Sequence, residues 1–237
     1  MTVLVSLLAG AFFLLGALVA WRARDRGRME DYSLAVASGS LACVAVIDLA
    51  PEAMEFAEKL GWPLAIGLVV AGVVVLILLD RALPDHDSDG EEEDAARLGG
   101  MALVAVVVHN LTEGAAIYAI ATQDLAAGVA LAVGVGMHNA PMGMLLYSAM
   151  ERSRARGIAV LSVAALSPFA GGVIMFALGG VINDTILSGV VCVALGMIAF
   201  MLFAELIPTM IRRRNLMRSL IGIAVGVAFV LVGSLFD

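Results

Sequence analysis

Lysine is all but missing from this chain: of its 14 basic residues, one is Lys59 and the others are arginines. Histidine occurs three times, cysteine twice and proline six times in 237 residues, and only 6% of residues are aromatic. Cys43 and Cys192 lie in separate apolar runs, which leaves neither a disulfide framework nor a CxxC metal motif; buried free thiols are the ordinary reading of both. With arginines confined to the connections between apolar runs and few rings to stack on bases, nothing favours nucleic-acid binding. Charged residues make up only 15%. Hydrophobic residues fill 62% of the chain with glycine left out of the count, where soluble domains reach about 45–50% with glycine included. A soluble globule is excluded.

The apolar residues fall into eight windows, at roughly 2–21, 33–57, 63–83, 100–121, 125–148, 157–179, 186–209 and 218–236. Each is about as long as a helix needs to be to cross a bilayer. The first has no basic residues ahead of it and is too long for the apolar core of a signal peptide, so it reads as a membrane span. The expected fold is therefore all-α: one polytopic membrane domain over residues 1–237, with an acidic cytoplasmic loop at 84–99.

Orientation follows from the arginines. All of them fall in the first, third, fifth and seventh connections, and Lys59 alone lies on the opposite side. Positive connections stay in the cytoplasm, so an even number of spans places both termini outside. An internal echo agrees with this topology: Asp48-Leu-Ala-Pro51 in the second span resembles Glu205-Leu-Ile-Pro208 in the seventh. The two spans run in opposite directions, as in an inverted repeat with outer and inner gates.

An ionisable side chain inside the membrane costs about 2.5–3.5 kcal/mol on insertion scales, so such groups face the protein interior and mark function. The fourth span contains His109-Asn110-Leu111-Thr112-Glu113-Gly114 and the fifth His138-Asn139-Ala140-Pro141-Met142-Gly143, two copies of one pattern. The three-residue turn Thr122-Gln123-Asp124 makes these helices antiparallel neighbours. His109 and Glu113, like His138 and Met142, are four residues apart and share a helix face. Pro141 cannot donate to the carbonyl four residues back, which frees the Met137 oxygen beside His138. Two imidazoles and a carboxylate with a position left open suit Zn²⁺ and neighbouring divalent ions. Hydrogen bonding between helices is the plainer use of such groups.

These two motifs, with the helix number, the orientation and the long third connection, resemble the ZIP family of metal-ion transporters. The resemblance implies an importer of a divalent cation, zinc first and Cd²⁺, Fe²⁺ or Mn²⁺ as neighbours, with no prosthetic group and no catalysis. It implies metal ligands at His109, Asn110 and Glu113 on the fourth span and at His138, Asn139 and position 142 on the fifth. In the family these two helices hold a binuclear site with shared glutamates. Here Met142 stands where the second motif expects glutamate, and Ser167-Pro168 where the sixth span often has Glu-Pro. The loss of two carboxylates points to a mononuclear site of His109, Glu113 and His138, with Met142 as weak fourth ligand or as packing. Asp48 and Glu52 on the outer side, and Ser167 and Glu205 further in, are the expected stations of the path. The partners expected are the bilayer, metal ions and a second copy of the chain.

Two rival readings remain at this stage, a metal-dependent hydrolase and a non-transporting sensor or scaffold. Against the hydrolase, there is no HExxH, and Met142 occupies the place of the general base. The third connection begins like a calcium loop at Asp85-His86-Asp87-Ser88-Asp89-Gly90, but its twelfth position is Ala96 rather than an acid. It reads as a solvated acidic linker or, with His86, a weak metal collector. Glu52, Glu55 and Glu58 form either a cation-concentrating mouth or a solvated helix end. The orientation is checked by cysteine labelling in a chain with Cys43 and Cys192 replaced by alanine. Thr2→Cys is expected to react with an impermeant maleimide from outside, and Gly27→Cys only after permeabilisation; the reverse pattern would invert the topology.

Overall fold

With no water in the bilayer core to satisfy backbone groups, a chain of this composition forms helices. The computed structural model describes residues 2–23, 26–82, 91–150, 154–179, 181, 183–213 and 215–235. Among the described residues there is no strand, and eight helical stretches are long and apolar enough to cross a membrane. The protein is a multi-pass membrane protein.

After a short 3₁₀ turn, the first span is α1 (Ser6–Arg22). The second is α2 (Arg26–Val44), which runs through a π-helical turn (Ala45–Leu49) into α3 (Ala50–Leu60). Then follow α4 (Trp62–Ala82), α5 (Glu91–Gln123), α6 (Leu125–Met150) and α7 (Arg154–Leu178). The seventh span is α8 (Asp184–Phe200), a second π-helical turn (Met201–Leu206) and α9 (Ile207–Arg212); the eighth is α10 (Leu216–Gly233). Residues 83–90, which hold His86 and the start of the acidic connection, lie outside the described residues, as do Arg24, Arg152 and Arg214. Helix α5 begins at Glu91, within the stretch expected as loop.

The spans agree with the sequence windows to within a few residues except at the start of the second, which begins at Gly27 rather than near residue 33. The reason is charge pairing. Asp31 accepts from Arg213 Nη1 at 3.1 Å and from Arg218 Nη1 at 2.9 Å, and Glu30 accepts from Arg213 at 3.3 Å. Burial opposes the charge on Arg213, but its bonds to Asp31 and Glu30 outweigh this and hold the guanidinium above its ordinary pKa. A polar helix start thus continues the span because its charges meet partners at the α9–α10 junction.

The echo between the second and seventh spans extends from letters to backbone. In each, the residue before the proline donates to the carbonyl five residues back, Ala50 to Ala45 and Ile207 to Leu202. A proline ring lacks the N–H and crowds the carbonyl four residues earlier, and a π turn moves that carbonyl aside. Asp48 and Glu205 each sit in such a turn, three residues before proline.

The helices pack as two sets, α1 with α5, α6 and α7, and α2–α4 with α8–α10; α6 crosses α2 and α10 where the sets meet. The outward faces carry exposed apolar side chains such as Leu14, Ile66, Phe176 and Leu220, as a lipid-facing surface requires. Close backbone approach holds α5 to α7: a Cβ on Gly114 would run into the Pro168 carbonyl, and one on Gly171 into that of Leu111. The neighbour in both cases is backbone and cannot rotate away. Gly114→Ala is therefore expected to destabilise by about 1–3 kcal/mol or more, seen as a lower unfolding temperature in detergent. Gly67→Ala, where nothing lies within 4 Å of the new carbon, is expected to be neutral or stabilising; equal effects would show that the α5–α7 approach is not tight.

Candidate metal centre

Asp124 sets the two motif helices side by side. Its carboxylate accepts from the Ala126 and Ala127 N–H groups at 2.8 and 3.2 Å, capping α6 directly after α5 ends. The antiparallel pair brings the two motifs level. His109 Nε2 stands 2.9 Å from Glu113 Oε1, one turn along α5, and His138 Nε2 reaches the same oxygen from α6 at 2.7 Å. The imidazole rings are 5.9 Å apart between centroids and tilted by 33°. One donor atom from each of the three residues lies within 4.8 Å of the others, so the trio could hold a metal ion.

The surroundings leave polar atoms unsatisfied. His109 is 6% and His138 7% exposed. His109 Nδ1, Asn110 Oδ1 and Glu113 Oε2 are buried without a hydrogen-bond partner. His109 Nε2 joins them, because its approach to Glu113 is close in distance but off the hydrogen-bond direction. Each such orphan costs about 1–3 kcal/mol. A dication bound by two imidazole nitrogens and a carboxylate would satisfy several at once, and this N₂O set suits zinc and its neighbours.

Two spaces share His109 and His138 in their walls. The larger, about 280 Å³, is lined by Asp48, Glu52, His109, Thr112, Glu113 and His138 among others, and extends toward the ends of α3 and α5. The smaller, about 10 Å³, is lined by residues including Ser40, His109, Asn110, His138, Asn139 and Met142; it is near the least volume that holds one water. The trio thus has a roomy approach on one side and close packing on the other.

Asp48 and Glu52, one turn apart across Pro51, both face the larger space, and Glu52 accepts from Ser188 Oγ of α8 at 3.1 Å. Asn110 is fully buried and donates to Ser167 Oγ on α7 at 3.1 Å; Asn139 donates to the Ala9 carbonyl of α1 at 3.4 Å. Met142 is buried, belongs to the main apolar cluster and also borders the smaller space. Ser167 and Glu205 border neither space. Helix α6 runs unbroken through Pro141.

Two residues escape sequence reasoning. Thr112 donates to the His109 carbonyl at 2.6 Å and lines the approach; its place inside the first motif was the available signal. Ser40 donates to the His138 carbonyl at 3.4 Å from the other helix set, and nothing in its run of small residues marks it. Removing a ligand is expected to weaken binding more than the 10–100-fold that outer-shell changes cost. In calorimetry on purified protein, Glu113→Gln and His138→Ala should each lose more than about 100-fold in Zn²⁺ affinity; native affinity in both would show that the trio does not bind metal.

No family model matches the chain. It is 30% identical over 144 residues to the zinc transporter ZupT of Stenotrophomonas maltophilia, a match covering 54% of each chain and so about half that relative's length. It is 25% identical over 218 residues to the zinc transporters ZupT of Enterobacter sp. and of Escherichia coli, covering 86% of this chain and 84% of each relative. These relatives are transporters rather than enzymes.

Proposed function

We propose, from the chain's place in the ZIP family of metal-ion transporters, that it carries a divalent cation, zinc above all, across the membrane into the cytoplasm. What supports this is a convergence: three side chains that could hold a metal ion line a cavity whose wall carries two further carboxylates, Asp48 and Glu52. A cleft lined by one sign of charge concentrates counter-ions, so Asp48 and Glu52 gather the cation and hand it inward to His109, Glu113 and His138.

The site is mononuclear and lies near mid-membrane between α5 and α6. A second dication beside the first would need the charge of carboxylates where this chain has Met142 and Ser167. Asn110, Asn139 and Met142 border the inner side of the trio and complete the ligand set there, the thioether favouring softer ions. With arginine-rich connections in the cytoplasm, the larger space opens outward and the packed side faces in. All three ligands ride on the set α1, α5, α6 and α7. Movement of that set against the other would close the outer cavity and open the inner side, with Glu205 on the exit, as rigid-body alternation does in transporters built from repeats.

The loss of two carboxylates also suits a membrane metal sensor, and uptake separates the readings. In proteoliposomes offered Zn²⁺, Cd²⁺, Fe²⁺, Mn²⁺ or Cu⁺, saturable Zn²⁺ uptake is expected that disappears in His109→Ala, with about one equivalent bound per chain. Asp48→Asn should raise KM severalfold with kcat less affected, since it weakens collection rather than the site. Zinc binding without uptake would establish the sensor, and two equivalents of similar affinity would refute the mononuclear site.

A further inference from the structure

Asn110 is wholly buried on α5, and its amide nitrogen donates to the Ser167 hydroxyl of α7 at 3.1 Å. That hydroxyl gives its own proton to the Ala164 carbonyl, 2.7 Å away. A serine hydroxyl has one proton. Having committed it to Ala164, Ser167 can only accept from Asn110. The reverse amide orientation would set Oδ1 against an oxygen with no proton to offer, so the hydrogen-bond chain itself assigns the polarity. As a result, Asn110 Oδ1 is left buried without a hydrogen-bond partner, on a residue that borders the small space shared with His109 and His138. Helix α7 can bring Ser167 this close because Gly114 and Gly171 let the α5 and α7 backbones touch.

We propose that Ser167 is a positioning residue for the metal site: it locks the Asn110 amide so that the cation meets an oxygen rather than an NH₂ group. The inference rests on the proposed reading of Asn110 as a ligand and explains what serine supplies at a position where a carboxylate was expected. A carboxylate would offer charge, whereas serine offers direction. An amide free to turn would present hydrogens of partial positive charge to the ion. An aspartate at position 110 has oxygens on both arms and no polarity to lock, so in that background Ser167 has nothing to orient.

Zinc affinity of the purified full chain in detergent, measured by calorimetry, tests this in four proteins: native, Ser167→Ala, Asn110→Asp and the double variant. Ser167→Ala is expected to weaken Zn²⁺ binding about tenfold or more, as outer-shell losses do. In the Asn110→Asp background the same change should alter affinity by less than about twofold, the mark of two residues acting as one unit. Ser167→Cys fills the site with a weak acceptor and should reproduce the alanine pattern should that variant fail to fold. Equal losses in both backgrounds would reduce Ser167 to packing, and no loss beside Asn110 would also overturn the proposal. The readout does not need transport: a chain that binds zinc and moves none would overturn the transporter reading alone, and a native chain that binds no zinc would overturn both.

Discussion

The structure turns on one carboxylate oxygen. Glu113 Oε1 is approached by His109 at 2.9 Å and by His138 at 2.7 Å, on a side chain that is itself largely buried. A carboxylate in such a place is costly unless charge or hydrogen bonds compensate it. Two imidazoles supply part of that compensation, while the second oxygen and His109 Nδ1 stay unsatisfied. The cluster is thus organised but incomplete, with polar atoms left over that a cation could satisfy. A fully satisfied network would rigidify the bundle and have no use for an ion.

Around this point the two helix sets divide the work. The set that carries the His109–Glu113–His138 trio is drawn together by backbone contacts such as Gly114 with Pro168, so the geometry of the trio is built into one closely packed body. The other set contributes the carboxylates of the approach. Asp48 comes from a π-helical turn that Pro51 makes favourable, and its counterpart in the seventh span places Glu205 in the same local geometry. The repeated proline therefore does more than interrupt a helix: it moves a carboxylate off the regular helical ladder at two related places.

The difference in size between the spaces on either side of the trio gives the arrangement a direction. About 280 Å³ lies on the side of Asp48 and Glu52 and about 10 Å³ on the side of Asn110 and Met142. On the packed side the polar groups are neutral. Among them, the Asn110 amide is oriented by the Ala164–Ser167–Asn110 chain of hydrogen bonds.

Much of this was legible in the sequence. Apolar runs of bilayer length specify helices because unpaired backbone groups are not tolerated in lipid, and four-residue spacing puts His109 and Glu113 on one face whatever surrounds them. The family resemblance was legible too, from the paired motifs. The early start of the second span was not, since it depends on Arg213 and Arg218 reaching Glu30 and Asp31 from some 180 residues away. Nor was the role of Ser40, or the bond between Asn110 and Ser167. Periodicity and composition act within a helix, so the sequence by itself determined the number of spans and which residues share a face. Which faces meet depends on how closely backbones approach and which distant partner satisfies each buried polar group, and only the tertiary structure decided that.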